Sequence, residues 1–108
     1  MSGLDNNSYT VSLVTTTPYT VTNNDYVVSV NINGASVVNL PQASTVPTGR
    51  MWIVKQVASA SAAVTVKSTT STIDGTAGAT GVLVKASNAT GALQLISDGT
   101  NWQIVGIQ

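Results

Sequence analysis

The sequence predicts an all-β protein, a single antiparallel β-sandwich or jelly-roll-like barrel of about nine short strands. Three observations predict it. Valine and threonine dominate a chain of 108 residues, and β-branched side chains fit a pleated, half-buried surface. Apolar and polar residues alternate with period two in short segments, which clusters of Gly, Pro, Asn, Asp and Ser separate. At the C-terminus two such segments flank Asp98-Gly99, a dipeptide that favours a tight hairpin turn.

That hairpin organises the rest of the chain. With Asp98 and Gly99 as a two-residue loop, Ser97 faces Thr100, Leu95 faces Trp102, Leu93 faces Ile104 and Gln94 faces Gln103. The large apolar residues then share one face and the glutamines the other. A one-residue slip would break this agreement. Leu93, Leu95, Asp98, Gly99, Trp102 and Ile104 are therefore the expected structural residues.

From the N-terminus, residues 1–8 are small and polar and are expected to form a flexible arm, with residues 9–108 as one β domain. Tyr9, Val11 and Leu13 alternate with Thr10 and Ser12 as a strand. Tyr19-Thr20-Val21-Thr22 repeats the pattern after Pro18. Asn23-Asn24-Asp25 turns the chain into the cleanest alternation, Tyr26, Val28, Val30 and Ile32. Asn33-Gly34 ends it, and Ser36 to Leu40 is expected to return as a hairpin partner. A two-residue loop puts Val30 opposite Val37. A three-residue loop puts Val28 opposite Val38 and Tyr26 opposite Leu40, which matches more apolar pairs.

Pro41 to Gly49 reads as a loop, since two prolines do not fit a central ladder. Arg50 to Val57 follows as a strand with large apolar groups on both faces. Such a strand is expected to be central, with Met51, Trp52 and Val54 as candidate interface residues. Ala58 to Ala63 is too short and serine-rich to require a helix. Val64 to Lys67 and Val82 to Lys85 are short strands, with a brief extended piece ending at Ile73-Asp74-Gly75. Val64-Thr-Val-Lys-Ser faintly echoes Val82-Leu-Val-Lys-Ala-Ser, but two short matches do not make a repeat.

Charge narrows the function classes. Only 7% of residues are charged and the formal net charge is zero, which favours association over a free, charge-covered monomer. Four basic residues spread along the chain make no dense phosphate-binding patch, which argues against a nucleic-acid partner. No apolar run is long enough to span a bilayer, so no membrane partner is expected. Residues 1–8 lack the charged and apolar regions of a secretory signal, and the sequons Asn6-Asn7-Ser8 and Asn88-Ala89-Thr90 read as coincidence.

The sequence has no His and no Cys, so the usual general base, thiol nucleophile and soft metal ligands are missing. Asp25, Asp74 and Asp98 all fall in turns, where Asp is expected for its local hydrogen bonding. A paired-carboxylate site would need two of them to converge. No catalytic residue, metal or cofactor is expected. Trp52 and Trp102 read as core or interface aromatics; an exposed Trp52 would instead favour a sugar-stacking role.

Several segments, in order, resemble a β-rich structural module of tailed-bacteriophage virion proteins. They are Tyr19-Thr-Val-Thr, Asp25-Tyr26-Val27-Val28, Val38-Asn39-Leu40-Pro41-Gln42-Ala43-Ser44, Pro47-Thr48-Gly49-Arg50, Trp52-Ile53-Val54-Lys55, Ile73-Asp74-Gly75 and Ser97-Asp98-Gly99-Thr100-Asn101-Trp102. The resemblance runs from about Tyr19 to Ile107. It implies a non-enzymatic virion protein, often trimeric, of the capsid decoration (cement), head-fibre or tail-fibre type. If the chain is complete from Met1, nothing remains to form a fibre shaft. The expectation is then a homotrimeric capsid decoration protein, made in the host cytoplasm, that binds the major capsid protein on the outer surface of the head. A tail-fibre or receptor-binding domain is the alternative, and a small carbohydrate-binding module or hydrolase a weaker one.

Overall fold

A short strand of alternating valines buries one row of side chains and leaves the other row outside. Two sheets of such strands therefore close on each other around a shared core. The computed structural model describes residues 10–57, 63–84 and 91–107. The expected arm at 1–8, the stretch 58–62 and the sequon at Asn88 lie outside these residues.

Among the described residues eleven strands form: β1 (Val11–Val14), β2 (Tyr19–Thr20), β3 (Val27–Val30), β4 (Ser36–Leu40), β5 (Met51–Gln56), β6 (Val64–Ser68), β7 (Thr72–Ile73), β8 (Thr76–Ala77), β9 (Val82–Leu83), β10 (Gly91–Ser97) and β11 (Trp102–Ile107). The all-β expectation holds. The two strands beyond the expected nine or so are β7 and β8, a small hairpin around Asp74-Gly75.

One sheet runs β1-β3-β5-β10-β11-β7-β8 and the other β2-β4-β6-β9. Strands β1 to β6 alternate between the two sheets, so each odd strand stacks parallel on the next odd one and each even strand on the next even one. The first six strands thus wind as three turns of a flattened coil. Antiparallel pairing enters where β10 packs on β5, β11 on β10, β9 on β6 and β8 on β7. The sheets are therefore mixed, not purely antiparallel. The body measures 38 × 33 × 22 Å.

This winding corrects the expected hairpin at Asn33-Gly34. β3 and β4 lie in different sheets, and residues 31–35 form a corner between them. Val28 pairs with Ser12 and Val54, and Val38 with Tyr19 and Val66. Both valines are fully buried, as the alternation required, but they belong to opposite sheets. The apolar pattern fixes which face is inside and leaves the strand's partner open.

The core between the sheets holds Val14, Val28, Val30, Trp52, Val54, Leu93, Leu95, Ile73 and Trp102 from the larger sheet, and Val38, Leu40, Val64 and Val66 from the smaller. Each fully buried side chain of this size contributes roughly 1.5–3 kcal/mol. Trp52 and Trp102 meet with ring centroids 5.6 Å apart and planes tilted by 56°, within the range favourable for aromatic pairs. The Trp102 indole N–H donates to the Pro41 carbonyl at 2.9 Å. Ser71 Oγ accepts from the Ala43 N–H and Ser97 Oγ donates to the Ala43 carbonyl, both at 2.8 Å. These bonds fasten the 41–49 loop, which contains a 3-10 turn at Ala43–Thr45, over the end of the core. Gln56, fully buried, spans from β5 to accept the Val64 N–H at 3.2 Å.

The C-terminal hairpin forms, with a different register. Ser97 pairs with Trp102, Ile96 with Gln103 and Leu95 with Ile104, and a bulge then shifts Gln94 to Gly106 and Leu93 to Ile107. The loop is Asp98-Gly99-Thr100-Asn101, longer than expected. Asp98 Oδ1 accepts the N–H groups of Thr100 and Asn101 at 2.9 and 2.8 Å, and this side-chain capping stabilises the wider turn. The shift is by two residues up to the bulge and by three beyond it; alternation along each strand still keeps Leu93, Leu95 and Trp102 facing the core. Ile104 packs half-buried at its margin.

Candidate functional site: the outer face of the larger sheet

Because strand residues alternate, the larger sheet also presents an outer face, and its rows follow from the register. Val11, Val27, Ile53, Gln94 and Gly106 align across β1, β3, β5, β10 and β11. Leu13, Ser29, Lys55 and Ala92 form the next row. Met51, Ile96 and Gln103 form another. Val11, Leu13 and Val105 are 59%, 81% and 54% exposed, and Val27, Met51, Ile53 and Ile96 are half-buried. Lys55 is the one charged side chain in these rows.

The smaller sheet has the opposite character. Its outer rows are Thr20, Asn39 and Lys67, and Val37, Thr65 and Leu83. They are mostly polar. Among the described residues, aliphatic side chains thus gather on the outer face of the larger sheet, interspersed with Ser29, Lys55, Gln94 and Gln103, more than on that of the smaller.

The candidate interface residues divide between the two sides of β5. Met51 lies on the outer face, as an interface residue must. Trp52 and Val54 are 1% and 0% exposed and point into the core, so they are not available to a partner. Ile53, between them, takes their place. The burial of Trp52 also removes the observation that would have favoured sugar stacking. Its indole N–H and the Ser36 hydroxyl are buried without a hydrogen-bond partner among the described residues.

The titratable groups gather at one other place, the first turn of the coil. Asp25 is 3% exposed and bridges the sheets. It accepts hydrogen bonds from Ser12 of β1, from Tyr19 Oη of β2 at 2.7 Å and from the Thr22 N–H at 2.9 Å. Burial pushes the carboxyl up, but the hydrogen bonds from Ser12, Thr22 and Tyr19 outweigh it and hold Asp25 below the usual carboxylate range. Burial first, and the Asp25 carboxylate second, push the Tyr19 hydroxyl up. Arg50 donates to the Asp25 carbonyl at 2.6 Å, and its guanidinium carbon stands 4.1 Å from the Trp52 ring centroid. Burial lowers the Arg50 pKa against the opposing pull of Asp25 and Tyr26. The Asp25 carboxylate takes its donors from both sheets, so this cluster reads as a clasp between them.

The other two described aspartates act separately. Asp74 Oδ1 accepts the Ile104 N–H at 3.1 Å. Asp98 caps the hairpin loop and accepts from Gln103 Nε2 at 2.7 Å. Hydrogen bonds from Asn101 and Thr100, then Gln103, hold the Asp98 carboxyl below its usual range. The described residues neither gather three carboxylates to hold a metal nor enclose a pocket.

No protein-family model, curated protein or solved structure matches this chain.

The outer face was only partly legible beforehand. Met51 was found from the two-sided apolar pattern of β5. Val11, Leu13 and Ile96 were missed because single strands do not show which neighbours extend their face, and Ile53 was missed because apolar residues fill both rows of β5, so the strand alone does not tell which row is outside.

Proposed function

We propose that this protein is a non-enzymatic structural component of a bacteriophage virion that binds the outside of the head and stabilises it. The observation that carries this reading is the aliphatic outer face of the larger sheet, centred on Met51, Ile53 and Ile96. The ordered segments from Tyr19 to Trp102 that resemble phage virion modules support it as well. The major capsid protein is the proposed partner, met by this face. A homotrimer is proposed from the same resemblance and from the low charge of the chain.

The physical logic is linkage. A protein that binds a surface present only in the assembled lattice lowers the free energy of that lattice relative to dissociated subunits. A flat face built on a two-sheet body suits the task, because few groups need ordering on binding. Several such faces in one oligomer would add the avidity of linked sites.

The test is to add purified protein to phage heads, tails and host cells separately and to measure bound copies per particle. Saturable binding to heads, with a higher rupture temperature, is expected. Binding to tails or host cells and not to heads would overturn the decoration reading and favour the receptor-binding one.

A further inference from the structure

A sheet that does not close leaves two edges, and the described residues leave four: β1 and β8 in one sheet, β2 and β9 in the other. β2, β8 and β9 are each two residues long, and very short edge strands are one way proteins avoid pairing with other chains. β1 is different. It has four residues, and its outward side chains Val11 and Leu13 are the most exposed large apolar groups among the described residues. Lysine, proline and bulges also protect natural edges, and Thr10 to Val14 contains none of them. Among the described residues no strand pairs with its outer side.

We propose that β1 is a self-pairing edge, which joins β1 of a second copy of this chain in an antiparallel ladder across a twofold axis. The register follows from the backbone. The Thr10 carbonyl accepts from Val27 at 3.0 Å and the Val14 carbonyl from Asn31 at 2.9 Å, both on the β3 side. Backbone groups of successive strand residues point to opposite sides, so Val11 and Leu13 direct their N–H and C=O groups to the open edge. Side chains must also keep inward facing inward and outward facing outward. Placing Ser12 opposite Ser12 of the second copy meets both conditions together. Val11 then lies opposite Leu13 of the second copy, and this pair exchanges both backbone hydrogen bonds.

The same register packs Val11 against Leu13 on the outer face, which covers the two exposed side chains with each other. Ser12, at the twofold, is already held inward by Asp25. No charge from Asn6 to Asn24 opposes the approach of an identical strand, and none is there to attract a charged partner. Pairing also makes the larger sheet continuous through both copies, with their outer faces on one side. The proposal stands independently of what that face binds.

The test is sedimentation and light scattering of the full chain over a range of concentrations, beside Leu13→Lys and Leu13→Pro. Leu13→Pro removes an N–H that only the intermolecular ladder uses, and Leu13→Lys places a charge where the apolar pair forms. The expected result is a wild-type mass that falls by half in both variants, whether the starting particle is a dimer of single chains or a hexamer in which β1 joins two of the proposed homotrimers. Val11 and Leu13 amides should exchange slowly in the wild-type assembly and fast in Leu13→Lys. Circular dichroism checks that each variant is folded, and Leu13→Lys carries the test alone if the proline variant is not. A wild-type monomer at every concentration, or an oligomer whose mass Leu13→Lys leaves unchanged, overturns the proposal.

Discussion

Asp-Gly occurs twice in this chain and makes two different turns. At Asp74-Gly75 both residues have positive φ, 50° and 83°, and Ile73 pairs directly with Thr76, as a two-residue type I′ turn requires. At Asp98-Gly99 only the glycine has positive φ, 98°. There the carboxylate turns back on Thr100 and Asn101, and Ser97 Oγ accepts the Gly99 N–H at 3.1 Å. What separates the two is where each carboxylate finds its donors, which the dipeptide itself does not encode. Asp25 gives a pH prediction. Its folded pKa lies below the unfolded value of about 3.9, so its stabilisation is complete above that value and is lost as pH falls through it towards the folded pKa. Denaturant midpoints should hold at mildly acidic pH and drop below about pH 4. Asp25→Asn should cost about 1–3 kcal/mol at neutral pH, because a buried donor loses its acceptor, and should flatten the acid drop. An unchanged acid drop in that variant would mean that other carboxylates carry it.

The C-terminal hairpin shows what periodicity can decide about an element. Its apolar face was legible because alternation sets facing directly, and it survived a register shift of two residues before the bulge and three beyond it. The shift itself was not legible, since it depends on the Asp98 cap and on the bulge beside Gln94. Trp102 anchors this element through Trp52 and the Pro41 carbonyl. Trp102→Ala should cost about 3–5 kcal/mol in urea unfolding, non-additively with Trp52→Ala because the rings touch. A loss below about 1 kcal/mol would place the ring outside the core. Gly78, after β8, has backbone where a side chain would go. A Cβ there would collide with the Ser71 and Ser68 carbonyl oxygens, while the Gly78 carbonyl accepts the Ser68 N–H at 3.1 Å. Gly78→Ala should therefore destabilise by about 1–3 kcal/mol in the same assay, through overpacking.

At the scale of the whole molecule, strand content was legible and winding was not. Successive turns of the coil align Val11 with Val27 and Val27 with Ile53, and these unequal spacings leave no period to detect. Asn33-Gly34 therefore looked like a hairpin and proved to be a corner. The outer face was obscured for the same reason, since it draws single residues from strands far apart in sequence. Met51 and Ile53 share the outer row of β5 and Trp52 and Val54 the inner, but with apolar groups in both rows the strand alone does not tell which row meets the core. We propose that the aliphatic side of this body is its working surface on a phage head. The most direct measurement is head binding by Ile53→Lys, on that face, beside Thr65→Lys on the polar face of the smaller sheet. Ile53→Lys should weaken binding about tenfold or more, equivalent to about 1.4 kcal/mol, with its unfolding midpoint unchanged, while Thr65→Lys binds as wild type. Equal binding by both variants, or loss confined to Thr65→Lys, would contradict it.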